Sequence, residues 1–278
     1  MFIRFDAKKR RFKVDDRFVS PASVLSTRWL LHALEQARPF AGEKLLDVGC
    51  GSKPYKDLFG ATEHIGVDWT NSLHKLCVEA FSSAEALPLS DGVFDVTLCT
   101  ETIEHLKHPS LVINEMVRVL KPGGHLILSA PFVHELHEAP FDFFRFTPLG
   151  LRSLVEEAGL TPIAMYCRGG AITVLVDIWS RLVLSLIRSV LGRMSLSMKI
   201  QNTIVTILLV WPQRIFASIA IGLTKYATRR RSAGLLGTAS RVSLGYVLVA
   251  RRQLEPTPIV GGLGAEGMSG ISRHFEEQ

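Results

Sequence analysis

Short apolar runs alternate with stretches of helical period over most of this chain. Lys44-Leu45-Leu46-Asp47-Val48 reads as a buried strand that runs straight into Gly49-Cys50-Gly51, where Ser52 is placed to cap a short helix ending near Leu58. Upstream, Ser20 as cap and Pro21 as first helical residue predict a helix to about Arg38, with Val24, Leu30, Leu31 and Leu34 on its apolar side. Downstream, residues 64–68 form a second strand pattern that ends in Asp68. Residues 111–120 carry a helical pattern, 125–129 a strand, Thr147-Pro148 opens a helix that Gly159 ends, and 161–168 is a further strand. Strands that alternate with helices imply an α/β fold, doubly wound around a mostly parallel sheet.

A strand, a glycine turn and a helix N-terminus together make a place where backbone N–H groups face a ligand. Asp68 stands nineteen positions beyond Gly49. An acid at the tip of the second strand is placed to accept hydrogen bonds from both ribose hydroxyls of a nucleoside cofactor, the alternative being a cap on the next helix. A dinucleotide site wants a third glycine three positions after the second; this chain has Pro54 there, which disfavours NAD and FAD.

Asp47-Val48-Gly49-Cys50-Gly51 resembles the first motif of the class I S-adenosylmethionine-dependent methyltransferases. The resemblance continues in family order through Ala84-Glu85-Ala86-Leu87-Pro88-Leu89, Phe94-Asp95-Val96, Glu104-His105-Leu106 and Leu120-Lys121-Pro122-Gly123-Gly124, and covers roughly residues 40–170. It implies S-adenosylmethionine as cofactor, with Asp47, Gly49 and Gly51 towards the methionine part and Asp68 on the ribose. Trp69 would lie on one side of the adenine, and Glu85, Ala86 and Leu87 along its edge. Cys50 fills the variable position of the motif as a small apolar group, since no electropositive neighbour is in view to activate its thiol.

Residues 131–147 then combine His134, His137, Asp142, Arg145 and several phenylalanines, Phe143 among them, where a doubly wound sheet has its C-terminal crevice. This is the expected acceptor wall. Methyl transfer from a sulfonium needs chiefly alignment and, for a hydroxyl acceptor, removal of a proton. His137 is the first choice as general base, with His134 and His105 behind it. Asp142 and Arg145 either contact the acceptor or pair with each other. The pattern from His137 to Thr147 resembles the branch of the family that modifies glycans and lipid-linked saccharides, which makes O-methylation of a membrane-presented saccharide the leading expectation. A quinone or other prenyl lipid is the alternative, and a membrane-docked module without turnover is a third, less consistent with the intact Asp47 and Asp68.

In the family's seven-stranded sheet the last strand is antiparallel and forms a hairpin with the sixth. Residues 242–250 read as that strand, so 171–241 become a hydrophobic helical insertion between strands six and seven, and the methyltransferase domain comprises 21–170 and 242–254. In 172–191 a stripe of Thr173, Asp177, Ser180, Arg181, Ser185 and Arg188 lies opposite a broad apolar face, and Asp177 can pair with Arg181. A second apolar segment, 200–223, is interrupted by Pro212. An arginine near the middle of each costs about 2.5–3.5 kcal/mol on insertion scales, so neither is a clean transmembrane span. Return of both ends to neighbouring strands excludes an odd number of crossings. Lys225 and Arg229-Arg230-Arg231 follow, and a basic cluster beside an apolar face suits an anionic membrane surface through 171–231, with a soluble lid or dimer surface as the alternative.

Composition adds bounds. The 278 residues are 47% hydrophobic and 21% charged, ordinary for a globular chain, and the net charge of +6 permits an anionic partner. Cys50, Cys77, Cys99 and Cys167 have no paired spacing, so neither a zinc site nor a disulfide framework is expected, and no metal is anticipated. Residues 1–20 form a basic and aromatic leader without the apolar run of a secretory signal, and 255–278 read as a disordered tail. No basic sheet interleaved with aromatics suggests a nucleic-acid partner. A cytoplasmic enzyme, peripheral at the inner face of a membrane, is the expectation.

Overall fold

The computed structural model describes residues 3–6, 11–14, 21–70, 77–194, 198–228 and 242–254. The basic and aromatic leader contains an antiparallel hairpin of β1 (Ile3–Asp6) and β2 (Arg11–Val14). Helix α1 (Val24–Ala37) buries Leu30, Leu31 and Leu34 against the sheet, while Leu25 packs with Val174, Ala217 and Leu244. It starts later than expected: Pro21 stands in a turn, and Ser23 at the N-cap makes no side-chain capping bond. Ser20 lies outside the described residues.

Strand β3 (Lys44–Val48) is central, with Leu45, Leu46 and Val48 wholly shielded. It pairs in parallel with β4 (Glu63–Asp68) on one side and β6 (Phe94–Thr100) on the other. Ser52 does not cap a helix. Lys53 takes φ +51° and its N–H closes onto the Cys50 carbonyl at 2.8 Å, so the left-handed turn runs on and the helix α2 (Lys56–Phe59) begins only after Tyr55.

A short edge strand β5 (Ala80–Phe81) flanks β4, and α3 (Pro109–Val119) leads into β7 (Leu120–Pro131), α4 (Pro148–Glu157) and β8 (Leu160–Cys167). Thr147 caps α4 by accepting from the Gly150 N–H at 3.0 Å. The last strand, β9 (Gly245–Arg252), lies between β7 and β8 and is antiparallel to both, giving the order β5-β4-β3-β6-β7-β9-β8. This is the Rossmann-like methyltransferase fold. Chain direction across the sheet reverses between β3 and β6, which opens a crevice at the carboxyl ends of those strands.

Between β8 and β9 come α5 (Ala171–Leu191), α6 (Met198–Val205) and α7 (Trp211–Thr228). A π-helical turn, Thr206–Val210, joins α6 to α7 just ahead of Pro212, where a regular helix would lose a hydrogen bond and meet the proline ring. The stretch Ile200–Leu223 is long and apolar enough to cross a membrane by length and composition, with mean hydropathy 1.8 and 28% of it buried. Along its first half α5 turns polar positions inward and apolar ones outward, while further on Leu184 and Leu191 are buried and Ser185 and Arg188 are exposed. Thr173, Asp177 and Ser180 of its polar stripe are buried against the domain, while Ile172, Leu175, Trp179, Leu182 and Leu186 are each more than 60% exposed. Residues 229–241 and the tail from 255 lie outside the described residues, as do the arginines at 229–231.

Candidate active site

A cavity of about 1250 Å³ occupies the crevice. One wall is the turn after β3. Gly49 and Gly51 adopt φ +68° and +49°, and a Cβ on Gly49 would stand 2.2 Å from the Thr102 side chain, so the first glycine is needed for packing inside the protein. Gly49 and Cys50 both donate to the Val67 carbonyl, at 2.9 and 3.2 Å, and Gly51 donates to Asp68 Oδ2 at 2.8 Å. The expected row of N–H groups facing a ligand is therefore not what these three residues present; their donors lock the turn to β4.

The feature that the turn offers instead is the Asp68 carboxylate. Its second oxygen accepts from the Trp69 N–H at 2.8 Å, and the residue is half-buried on the cavity wall. A carboxylate has about four lone-pair sites, so two remain after these bonds, which fits a pair of ribose hydroxyls. Trp69 lies beside it on the wall, edge-on to Phe141 with ring centroids 5.1 Å apart, and Glu85 lines the same end. These residues fit a nucleoside cofactor.

Asp47, Ala86 and Leu87 do not lie on the cavity wall. Asp47 is 1% exposed beneath the turn and bonds His64 Nε2 at 3.1 Å; burial raises its pKa despite the imidazole. Leu87 joins the apolar core, and Ala86 is exposed. Cys50 is buried, and burial followed by the Asp47 and Asp68 charges pushes its thiol well up, so it is an unreactive filler as expected. Gly66 makes room for it: a Cβ there would stand 2.6 Å from Cys50 Sγ.

The opposite wall is built from side chains. His105, His134, His137, Glu138, Phe141 and Phe143 reach the cavity from the loops after β6 and β7. Asp142 and Arg145 do not; they pair with each other at 2.6 Å, and Arg145 also donates to the Glu135 carbonyl at 2.9 Å, which staples the loop 134–145. Of the two expectations for this pair, mutual pairing is the contact present. The Arg145 guanidinium keeps the Asp142 carboxyl well below the usual carboxylate range. Asp142 Oδ2 lies 3.2 Å from His137 Nδ1, orienting that ring.

His134 is held differently. Its Nδ1 lies 2.9 Å from the Glu135 carbonyl and its Nε2 3.3 Å from Arg181 of α5, so both nitrogens are engaged, and burial holds its pKa down. Arg181 also bonds Glu135 at 2.5 Å and Asp177 at 2.7 Å, tying the insertion to the acceptor loop. His105 and His137 stand together, ring centroids 4.8 Å apart, over Glu104, whose side chain is 0% exposed. Burial, and next the Glu101 charge, raise the Glu104 pKa well above its ordinary value.

Glu104 is a site residue that the sequence pattern alone does not single out; an acid beside a histidine at the end of a strand is the available signal. Nor does the pattern single out Arg168, buried at the cavity floor and bonded to Glu101 and Ser26, each at 2.5 Å. In the sequence Arg168 marks only the end of a strand pattern.

Residues 46–128 match the family described as Methyltransferase domain. The chain is 31% identical over 147 residues to the ubiquinone biosynthesis O-methyltransferase of Thiobacillus denitrificans, spanning 42% of this chain and 63% of that protein. It is 27% identical over 169 residues to the protein of the same name from Albidiferax ferrireducens, spanning 52% and 64%. The chain thus spans less than two thirds of the length of these curated relatives. A SAM dependent methyltransferase from Archaeoglobus fulgidus is similar at 16% identity, TM-score 0.46, over 85% of this chain and 97% of that one. With the strand order, the Asp68 wall and the match over 46–128 in view, the core of this chain is a class I methyltransferase domain whose cofactor is S-adenosylmethionine.

Proposed function

We propose that the chain methylates a hydroxyl oxygen of a hydroxylated, prenylated aromatic lipid, a quinone precursor, while docked on the inner face of a membrane. The observation that carries this reading is the outward face of α5: Thr173, Asp177, Ser180 and Arg181 are spent on the domain and the acceptor loop, while Ile172, Leu175, Trp179, Leu182 and Leu186 point outward. Along 208–223 a second outward stripe, Leu208, Trp211, Ile215, Ile219 and Leu223, recurs at helical spacing. The relatives named for ubiquinone biosynthesis support a quinone acceptor over a saccharide. The internal pairing of Asp142 with Arg145 supports it too, because it removes two polar groups that a saccharide would need and leaves Phe141 and Phe143 on the wall.

S-adenosylmethionine, when bound, supplies a methyl group already activated by its sulfonium. Asp68 would hold the ribose and Trp69 the adenine, while Phe141 and Phe143 would align the acceptor ring. With His134 engaged by Arg181, handling of the hydroxyl proton falls to Glu104, His105 and His137.

Purified protein incubated with radiolabelled cofactor and phosphatidylglycerol vesicles carrying a prenylated catechol tests the reading. Label in the lipid phase is the expected result. Label that appears only with a polyprenyl-linked saccharide returns the acceptor to the glycan class.

A further inference from the structure

Glu104 is buried with neither carboxylate oxygen bonded to any partner among the described residues. Two imidazoles face it. His105 Nδ1 lies 2.6 Å from the Phe141 carbonyl, which can only accept, so that nitrogen carries the proton and Nε2 presents its lone pair 3.7 Å from Glu104 Oε1. His137 Nδ1 lies 3.2 Å from the Asp142 carboxylate and 3.3 Å from the Glu135 carbonyl, with the Arg145 guanidinium 3.4 Å away, and its Nε2 lies 3.9 Å from the same Oε1. Glu104 Oε1 and the two Nε2 atoms therefore converge in one corner, and no donor among the described residues answers the carboxylate.

We propose that Glu104, His105 and His137 hold a first-row divalent cation at the acceptor end of the cavity. All three ligand atoms lie within 4.8 Å of one another. Donors about 2.1 Å from one ion stand about 3.0–3.4 Å apart, so binding asks for an inward shift of about 1 Å. The carbonyl behind His105 and the carboxylate behind His137 fix tautomer and ring orientation, as partners behind metal-binding histidines do. Glu138 Oε2, 3.9 Å from His105 Nε2, stands at the open side, where exchangeable positions face the cavity. Two imidazoles and one carboxylate suit Mn²⁺, Co²⁺ or Zn²⁺.

Resting on the reading of the chain as an O-methyltransferase, this site selects its substrate: an acceptor hydroxyl with a second oxygen on the adjacent carbon, which would chelate the ion. The cation lowers the pKa of the hydroxyl, whose proton goes to water. The acceptor oxygen then bonds to the methyl carbon as the carbon–sulfur bond breaks, leaving the methyl ether and S-adenosylhomocysteine. His137 serves in this arrangement as a ligand in place of a free base.

The test is calorimetric titration of EDTA-treated full-length protein with MnCl₂, with Mn²⁺ spin resonance as a second readout. Glu104→Gln and His105→Gln run alongside, and S-adenosylhomocysteine binding serves as the control for folding and for the cofactor site. One ion per chain, weakened at least 100-fold in both variants while S-adenosylhomocysteine binding is kept, is the expected result. Wild type that binds S-adenosylhomocysteine but takes up none of Mn²⁺, Co²⁺ or Zn²⁺, or variants that bind the ion as wild type does, overturns the proposal. Because ion uptake is read without turnover, an ion bound with no methyl transfer to the prenylated catechol counts against the acceptor reading alone.

Discussion

The two walls of the cavity are built on opposite principles. On the cofactor wall the Asp68 carboxylate is already held by the N–H groups of Gly51 and Trp69, both at 2.8 Å, and keeps lone pairs to spare. Behind the acceptor wall, beneath His105 and His137, the Glu104 carboxylate is buried with no hydrogen-bond partner among the described residues. A group satisfied before its ligand arrives costs nothing to keep in place. A buried group left unsatisfied costs stability and persists where something else completes it. The cofactor wall is thus preorganised by backbone, and the acceptor wall is completed by what it binds.

Breaking the preorganised wall has the largest expected effect. Asp68→Ala removes a charged acceptor for two ribose hydroxyls, and hydrogen bonds to charged groups contribute about 1.5–3 kcal/mol. The affinity for S-adenosylhomocysteine, measured by calorimetry, should fall about 100-fold. An unchanged affinity would mean that the nucleoside lies elsewhere.

The stapled loop gives the next effect. Asp142, fully shielded and paired with Arg145, has a pKa below its unfolded value. Such a group contributes stability that is present above the unfolded pKa, about 3.9, and is lost as pH falls through the lower folded value. Asp142→Asn should cost about 2 kcal/mol at pH 7, and the wild-type advantage should shrink below about pH 4. Melting curves from pH 7 to pH 2 measure both. Parallel losses for the two proteins over that range would show that the pair is not what holds the loop.

How far each wall was legible follows from what each is made of. The cofactor wall is local: β3, the glycines and the strand ending in Asp68 follow from apolar period and turn chemistry within about 25 residues. Even there, Val67 consuming the turn's N–H groups was invisible, because that bond arises from the pairing of β3 with β4. The placements of Asp47 and Leu87 were missed for the same reason; a strand pattern says that a residue is inside and leaves open whether it faces cavity or core. The acceptor wall joins Glu104 and His105 after β6 to His137 after β7, a juxtaposition that only the sheet creates. For α5 both stripes were readable, yet which one packs inward depended on Glu135 and His134, partners more than forty residues away.

The outward apolar stripe of α5 gives the smallest expected effect and separates the walls most cleanly. Trp179 is 61% exposed on the face of α5 away from Arg181, which anchors the acceptor loop through Glu135 and His134. A tryptophan that leaves water on docking contributes apolar burial of about 1.5–3 kcal/mol when fully covered, and about half of that at an interface. Trp179→Asp should therefore lower partitioning onto phosphatidylglycerol vesicles about tenfold in sedimentation. It should leave S-adenosylhomocysteine affinity as it is, because Asp68 and its two N–H donors lie on the other wall. Turnover on a water-soluble catechol should also be kept, while turnover on the prenylated one should fall with partitioning. Vesicle binding that is indifferent to Trp179→Asp would assign the outward stripe to a protein surface, and the outward face of α5 would then report an interface with another chain.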